Sequence, residues 1–127
     1  MDVPIGERFA RAIAANDAAA LRELLAPEID FRAMTPGTFW EADTAAQLVD
    51  GVILGQWFEP SDRIDSIEEV ENATVVDCER VGYRFRVTNE DGTSLVEQQA
   101  YLRAEAGRIT WLRIMCAGYQ SIADLPE

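Results

Sequence analysis

The sequence predicts an α+β domain, in which three helices near the N-terminus cover the concave face of a strongly curved antiparallel or mixed sheet. Helical patterns dominate the first half of the chain. Strand-like alternation and two tight-turn sequences dominate residues 75–118. Because helices segregated to one side of a sheet are typical of α+β architecture, and because 127 residues suit one domain, we expect a single domain over 1–127.

Two short helices are predicted at the N-terminus. Apolar residues recur with helical spacing over 5–15, which predicts the first helix. Asn16 and Asp17 interrupt this pattern, and Asp17 can cap a second helix over 18–25. Pro27 then ends that helix, because proline cannot continue a helical hydrogen-bond pattern. The two helices therefore form an angled or antiparallel pair.

A strand and a third helix follow. Alternating apolar residues over 29–34 predict a short strand, and 35–43 is interpreted as a loop. Trp40 in this loop either closes the edge of the core or lines a pocket mouth. Thr44 and Gln47 have the spacing of a capping box, which predicts the start of the third helix. A further strand is expected from residue 63 to residue 70.

Three consecutive strands are predicted between Val75 and Gly118. The first of them alternates, with its apolar residues at the odd positions 81 to 87. The last spans 109–116, where one face is uniformly apolar and the other is mixed. We expect the apolar set to face inward: Leu112, Ile114 and Cys116. We expect the mixed set to face outward, where it could contact another subunit: Trp111, Arg113 and Met115.

The turn between the first two of these strands determines which residues of the second strand face inward. Residues 89–92 suit a type I turn with a glycine bulge, which pairs Asn89 with Thr93. The inner residues of the second strand are then expected to be Leu95, Glu97, Gln99 and Tyr101. A slip of one residue would turn this set to solvent. We prefer the first register and keep the second as the alternative.

Composition excludes several classes of function. The net charge of −12 repels phosphate backbones and anionic lipids, so neither nucleic acid nor a membrane is an expected partner. The chain has no histidine and only two cysteines, so neither a metal site nor a bound cofactor is expected. The first residues lack the basic start and apolar core of a signal peptide, which predicts a cytoplasmic location.

The order of these elements resembles the nuclear transport factor 2-like superfamily, in particular its SnoaL-like branch. The break at Asn16-Asp17 and the turn at Gly107-Arg108-Ile109 into a final apolar strand carry the resemblance, which covers nearly the whole chain. It implies a cone-shaped α+β barrel with an apolar pocket. It also implies a small apolar or polycyclic ligand and a homodimer formed through the outer face of the sheet. The superfamily includes ketosteroid isomerases, polyketide cyclases and non-catalytic domains, so fold alone does not assign a function.

The catalytic residues of the superfamily are absent at the matching positions. The oxyanion-binding tyrosine of ketosteroid isomerases falls on Phe9, their general-base aspartate on Ala33, and their protonated aspartate on Gln99. The cyclases resembling this chain use a histidine, which the chain lacks. The resemblance therefore does not imply either of these mechanisms here.

Glu97 is the candidate acid or base. If it faces inward, loss of solvent would raise its pKa, while Tyr83 and Tyr101 could donate hydrogen bonds to an oxyanion. Alternatively, Glu97 pairs with an arginine or faces solvent. The expected pocket lining, several members of which could instead be ordinary core, is Phe9, Phe31, Trp40, Trp57, Phe58, Phe85, Gln99, Leu112, Ile114 and Cys116.

Three functions are compatible with these features. The first is a small-molecule-binding protein with an apolar pocket and no assigned reaction. The second is a proton-transfer enzyme of the isomerase, cyclase or dehydratase class that uses Glu97. The third is an assembly domain whose own side chains fill the cavity. We rank them in this order.

Overall fold

The computed structural model describes residues 3–124, which contain a six-stranded mixed sheet and three helices. The strands are β1 (Leu25–Thr35), β2 (Thr38–Thr44), β3 (Arg63–Val75), β4 (Cys78–Asn89), β5 (Gly92–Glu105) and β6 (Arg108–Ser121). Their order in the sheet is β2-β1-β6-β5-β4-β3, with β1 and β6 parallel and the other neighbours antiparallel. The predicted α+β class and mixed sheet are confirmed, while the strong curvature and the cone shape stay predictions.

The two N-terminal helices are α1 (Ile5–Ala14) and α2 (Ala18–Leu24). Asp17 caps α2 as predicted, because its Oδ1 accepts a hydrogen bond from the Ala20 backbone N–H at 3.0 Å. Asn16 precedes it with a φ of 53°, a left-handed conformation that asparagine tolerates better than most residues. This local geometry turns the chain sharply between the two helices.

The third helix begins where the capping box predicts it. The Thr44 hydroxyl accepts from the Gln47 backbone N–H at 3.1 Å, and the Gln47 side chain accepts in return from the Asp43 N–H at 3.0 Å. Helix α3 (Ala45–Leu48) then widens into a π-helix over Val49–Trp57. Gly55 permits this widening, since a Cβ atom there would overlap the Asp50 carbonyl oxygen.

The region interpreted as a loop, residues 35–43, is mostly the strand β2, so that interpretation was wrong. Thr35 pairs with Thr38 across a two-residue turn, and Gly37 supplies the positive φ of 77° that the turn requires. Trp40 opposes Ala33 in this hairpin. Pro36-Gly37 is therefore a hairpin turn, and the aromatic residues after it belong to an edge strand.

A second boundary also differs from the prediction. Strand β3 continues to Val75, which pairs with Cys78, so it ends five residues later than predicted and the chain turns at Val76-Asp77. Val76 is 95% exposed and has a φ of 56°, so this turn lies fully in solvent. β3 extends further than its apolar residues suggest because backbone pairing with β4 continues along its whole length.

One face of the sheet, here called the inner face, packs against the helices. Helix α1 contacts β3 and β4, whereas α2 and α3 contact β1. Apolar residues from both layers form one buried core. The largest fully buried side chains are Tyr83, Phe9, Phe31, Phe85, Ile13, Leu21, Leu25, Leu48, Ile53, Leu102, Ile109 and Leu112. At about 25 cal/mol per Å² of apolar area, this burial is the main stabilising contribution to the fold.

The preferred register of β4 and β5 was wrong by one residue. Asn89 pairs with Gly92, which leaves a two-residue loop and shifts every later partner. The residues of β5 that are buried on the inner face are Val96, Gln98, Ala100 and Leu102. The physical reason is the cost of burying charge: this register places one neutral amide in the core and keeps the Glu97 carboxylate out of it.

The opposite, outer face carries charged pairs between strands. Arg84 on β4 approaches Glu97 on β5 at 2.9 Å and Glu69 on β3 at 3.7 Å. Arg80 pairs with Glu71 at 2.6 Å in the same way. The arginines of β4 therefore form cross-strand ion pairs, as their alternating positions predict.

None of the helices in the described part of the chain has the length and apolar character that crossing a membrane requires.

Candidate functional site

A cavity of about 160 Å³ lies between the end of the π-helix and the inner face of the sheet. We call it the interior cavity. Its lining residues are Thr35, Gln56, Trp57, Phe58, Val96, Gln98, Cys116, Gly118 and Tyr119. Gln56, Trp57 and Phe58 come from the C-terminal end of the π-helix. Trp57 and Phe58 are both buried there.

Gln98 is the polar centre of this region. It is only 1% exposed, and its Oε1 accepts a hydrogen bond of 2.6 Å from the Tyr83 hydroxyl. Its Nε2 has no acceptor among residues 3–124. Leaving a buried donor unpaired costs about 1–3 kcal/mol, so this amide has unsatisfied hydrogen-bonding capacity inside the protein.

Tyr83 holds the Gln98 amide in position. Its ring lies 5.0 Å from that of Phe85 and 6.5 Å from that of Phe9, which restricts its movement. Burial raises the pKa of Tyr83 well above its ordinary value, so the hydroxyl keeps its proton at neutral pH. It therefore remains a donor to Gln98 Oε1, and the amide N–H groups stay available to another acceptor.

Trp57, which also lines the interior cavity, carries a second buried donor. Its indole Nε1 is buried and has no acceptor within the described residues. The indole ring lies 6.0 Å from Phe31 and 6.0 Å from Trp40, so aromatic packing determines its orientation. By contrast, the Trp40 indole donates to the Thr35 hydroxyl at 2.8 Å and is satisfied.

Two other polar side chains of the cavity already have partners. Cys116 lies directly opposite Gln98 on β6, and its Sγ accepts from the Gly118 N–H at 3.4 Å. The Tyr119 hydroxyl donates to the Trp57 carbonyl at 2.7 Å. Burial raises the pKa of Tyr119, so this hydroxyl also stays protonated. Donors that lack an acceptor are therefore the chemical feature that distinguishes this cavity.

The interior cavity suits binding better than proton transfer. Of the described residues, no carboxylate and no arginine line it, so a general base of ordinary strength is missing. Its volume is close to the roughly 150 Å³ of a cavity known to bind benzene, which sets the size of a ligand at about one ring. The arrangement leaves two buried donors, on Gln98 and Trp57, without a hydrogen-bond acceptor.

The structure separates the three predicted catalytic residues. Tyr83 lies on the inner face, but Glu97 and Tyr101 lie on the outer face. The Glu97 side chain is 45% exposed and bonded to Arg84, so the prediction that it faces inward was wrong. Gln99 is also on the outer face, where its Oε1 accepts from Arg80 at 2.9 Å. All three errors have one cause, the register shift of one residue.

The predicted pocket residues fall into three groups. Trp57, Phe58 and Cys116 line the interior cavity, while Trp40 is half-buried and packs against Trp57. A third group is buried in the surrounding core: Phe9, Phe31, Phe85, Leu112 and Ile114. Neither Gln98 nor Tyr119 was predicted from the sequence. The alternating apolar residues Val96, Ala100 and Leu102 were the signal that could have identified Gln98 as an inner-face residue.

No group of three or more cysteine, aspartate and glutamate residues within 3–124 has the arrangement of a metal site.

Comparisons with known proteins identify the fold. No family model matches the chain, and no curated protein matches it significantly in sequence. Among solved structures, an NTF2-like protein of unknown function from Mesorhizobium loti is 26% identical with a TM-score of 0.61, over 90% of this chain and 88% of that one.

Two further structures carry provisional functional names. One, from Rhodopseudomonas palustris, is provisionally named an isomerase and is 18% identical, with a TM-score of 0.69 over 91% of each chain. The other, IdmH from Streptomyces antibioticus, is provisionally named a polyketide cyclase and is 17% identical, with a TM-score of 0.65 over 88% of each chain. The resemblance predicted from the sequence is confirmed: this chain has the fold of the nuclear transport factor 2-like, or SnoaL-like, superfamily.

Proposed function

We propose that this protein binds a neutral, ring-sized small molecule in the interior cavity through a hydrogen-bond acceptor, such as a carbonyl oxygen. The observation that carries the proposal is the buried Gln98 Nε2 without an acceptor. The Trp57 Nε1 adds a second donor of the same kind in the same cavity wall. A carbonyl oxygen has two lone pairs and can accept from both donors.

The energetics favour a ligand of this class. A carbonyl compound would supply the acceptor that the buried Gln98 Nε2 lacks, which removes the cost of leaving that donor unpaired. The Tyr83–Gln98 bond already orients the amide, so binding loses little side-chain freedom. The apolar side chains of Phe58 and Val96 then cover the rest of the ring.

The size of the cavity narrows the range of ligands. A cavity of about 160 Å³ accepts one six-membered ring with a small substituent rather than a polycyclic compound. Two structural neighbours are provisionally named an isomerase and a cyclase, which supports a small-molecule site in this fold. Because Glu97 faces outward and bonds to Arg84, the structure gives no support to proton transfer by that residue.

Acetophenone and ethylbenzene provide a matched test. They have similar size and shape, but only acetophenone carries a carbonyl oxygen. We expect acetophenone to bind about tenfold more tightly. Each of its two hydrogen bonds contributes about 1 kcal/mol in net terms, and part of this gain is lost because the ring must be held in one orientation. Titration followed by nitrogen–proton correlation NMR measures affinity, and the Trp57 indole and Gln98 amide signals should shift.

Two neighbouring glutamines provide the control. In Gln98→Leu the preference for acetophenone over ethylbenzene should fall to about threefold, because only the Trp57 donor remains, whereas Gln99→Leu on the outer face should retain the full preference. The indole signal of Trp111, which is stacked between Arg103 and Arg113 on the outer face, should not move in either titration. Equal affinities for the two compounds in the unmodified protein would overturn the proposal.

The homodimer implied by the superfamily stays a proposal. Exposed apolar side chains at Phe39, Met34 and Met115, which are 76%, 42% and 54% exposed, support an interface on the outer face. Sedimentation equilibrium checks it, and a monomer at micromolar concentration would contradict it.

A further inference from the structure

A second cavity, of about 430 Å³, adjoins the interior cavity and shares the wall residues Gln56, Trp57 and Tyr119 with it. We call it the vestibule. Its other lining residues come from the segment after the π-helix and from the β4–β5 hairpin: Glu59, Ser61, Asp62, Asn89, Glu90, Asp91 and Ser94. A ligand held by Gln98 and Trp57 would direct any substituent on its far side toward these residues.

The vestibule is acidic. Four carboxylates line it, and no arginine of the described residues does. The nearest arginine in sequence, Arg63, pairs with Asp65 at 2.6 Å instead. The chain has no lysine and no histidine that could supply the missing positive charge. Four negative charges around one opening create a local potential that attracts cations and repels anions.

Besides burial, two of these carboxylates, Asp62 and Glu59, raise the pKa of Tyr119, which lies in the wall shared with the interior cavity. Asp62 is held in place, because its side chain accepts from the Asn89 amide at 3.0 Å and from the Glu59 N–H at 3.2 Å. Burial raises the pKa of Tyr119, and the negative charges of Asp62 and Glu59 raise it further. The field of the vestibule therefore extends to the tyrosine that both cavities share.

We propose that the vestibule selects the outer end of the ligand: it favours a protonated amine and rejects a carboxylate on a ring whose carbonyl binds in the interior cavity. This inference rests on the proposed function and adds the charge of the ligand to it. The unpaired donors of Gln98 and Trp57 point to a ligand at the inner end, and the acidic opening determines its outer end.

The test extends the acetophenone titration with two para-substituted compounds, para-aminomethyl acetophenone and para-acetylbenzoate. At about 0.01 M salt, where the Debye length is about 30 Å, we expect the amine to bind about tenfold more tightly than the carboxylate, with acetophenone between them. In about 1 M salt the Debye length falls to about 3 Å, and the difference should shrink to less than about twofold.

Charge-neutralising variants localise the effect. Glu90→Gln combined with Asp91→Asn removes two vestibule charges in the exposed hairpin loop, and should reduce the preference for the amine about threefold. Glu23→Gln combined with Glu28→Gln removes the same charge elsewhere. Glu23 and Glu28 lie on either side of Leu25, which pairs with Ile109 near the start of β6. The vestibule residue Tyr119 lies near the other end of that strand. Because its charges lie farther from the vestibule, this control pair should reduce the preference less than the loop pair does.

The outcomes separate the two proposals. If acetophenone binds better than ethylbenzene but the amine and the carboxylate bind equally, the inference about the vestibule is overturned and the proposed function stands. Tighter binding of the carboxylate would overturn it in the same way. If acetophenone binds no better than ethylbenzene, both proposals are overturned.

Discussion

The two faces of β5 place adjacent polar residues in opposite environments. On the inner face, Gln98 is almost completely buried, bonded to one tyrosine, and left with an unpaired N–H donor. On the outer face its sequence neighbour Glu97 is nearly half-exposed and paired with Arg84. Of these two adjacent polar residues, Gln98 therefore lies in the protein interior, and Glu97 lies on a solvated surface of ion pairs.

The difference shows where polar groups have large effects. In the interior, hydrogen bonds are strong and an unpaired donor is costly, so a change at one amide should have a large effect. On the outer face, water screens the charged pairs, and each contributes little to stability. Substitutions on the two faces should therefore differ in size even where the residue types are similar.

The largest expected difference concerns aromatic residues. Phe85 is fully buried on the inner face and packs 5.7 Å from Phe58 and 5.0 Å from Tyr83. We expect Phe85→Ala to lower the free energy of unfolding by about 3–5 kcal/mol, because it leaves a cavity in the core. Tyr101→Ala on the outer face should cost about 1 kcal/mol. Urea unfolding measures both, and equal losses would contradict the assignment of the two faces.

An intermediate effect is expected for the Tyr83–Gln98 hydrogen bond. Tyr83→Phe removes the donor and leaves the buried Gln98 Oε1 unpaired, which should cost about 1–3 kcal/mol of unfolding free energy. Combining it with Gln98→Leu should cost less than the sum of the two single substitutions, because the double variant leaves neither group unpaired. Urea unfolding of all four proteins measures this coupling. Strict additivity would show that the two groups do not interact.

The smallest effect is expected for Glu97→Gln. This substitution removes the charge that pairs with Arg84 but keeps the size of the side chain. We expect the free energy of unfolding to fall by less than about 1 kcal/mol, and by still less at high salt. Thermal unfolding at two salt concentrations measures this. A loss of several kcal/mol would instead indicate that Glu97 is buried in the protein.

Much of the fold could be predicted from the sequence, because local chemistry determines it. The Asp17 cap, the Thr44–Gln47 capping box and the outward positions of the β4 arginines all follow from neighbouring residues. The π-helix could not be predicted in this way. Its geometry depends on Gly55 approaching the Asp50 carbonyl, and an isolated glycine in a helical pattern does not distinguish that case from close packing.

The candidate site could be predicted only in part. Trp57, Phe58 and Cys116 were expected in a pocket on the strength of their apolar character, and they line the interior cavity. Gln98 was missed because three consecutive polar residues, 97 to 99, hide the alternation on which the assignment of faces depends. The acidic vestibule was missed because its carboxylates come from separate segments that only folding brings together.

The sequence by itself determined that this chain is an α+β protein of this superfamily fold, with a strongly acidic surface and no histidine chemistry. Only the tertiary structure decided which of two adjacent residues, Glu97 or Gln98, lies inside. The turn after β4 is compatible with both registers, so the choice depends on the whole sheet packing against the helices. A neutral amide that bonds to Tyr83 costs far less to bury than a carboxylate, and the register follows from that difference.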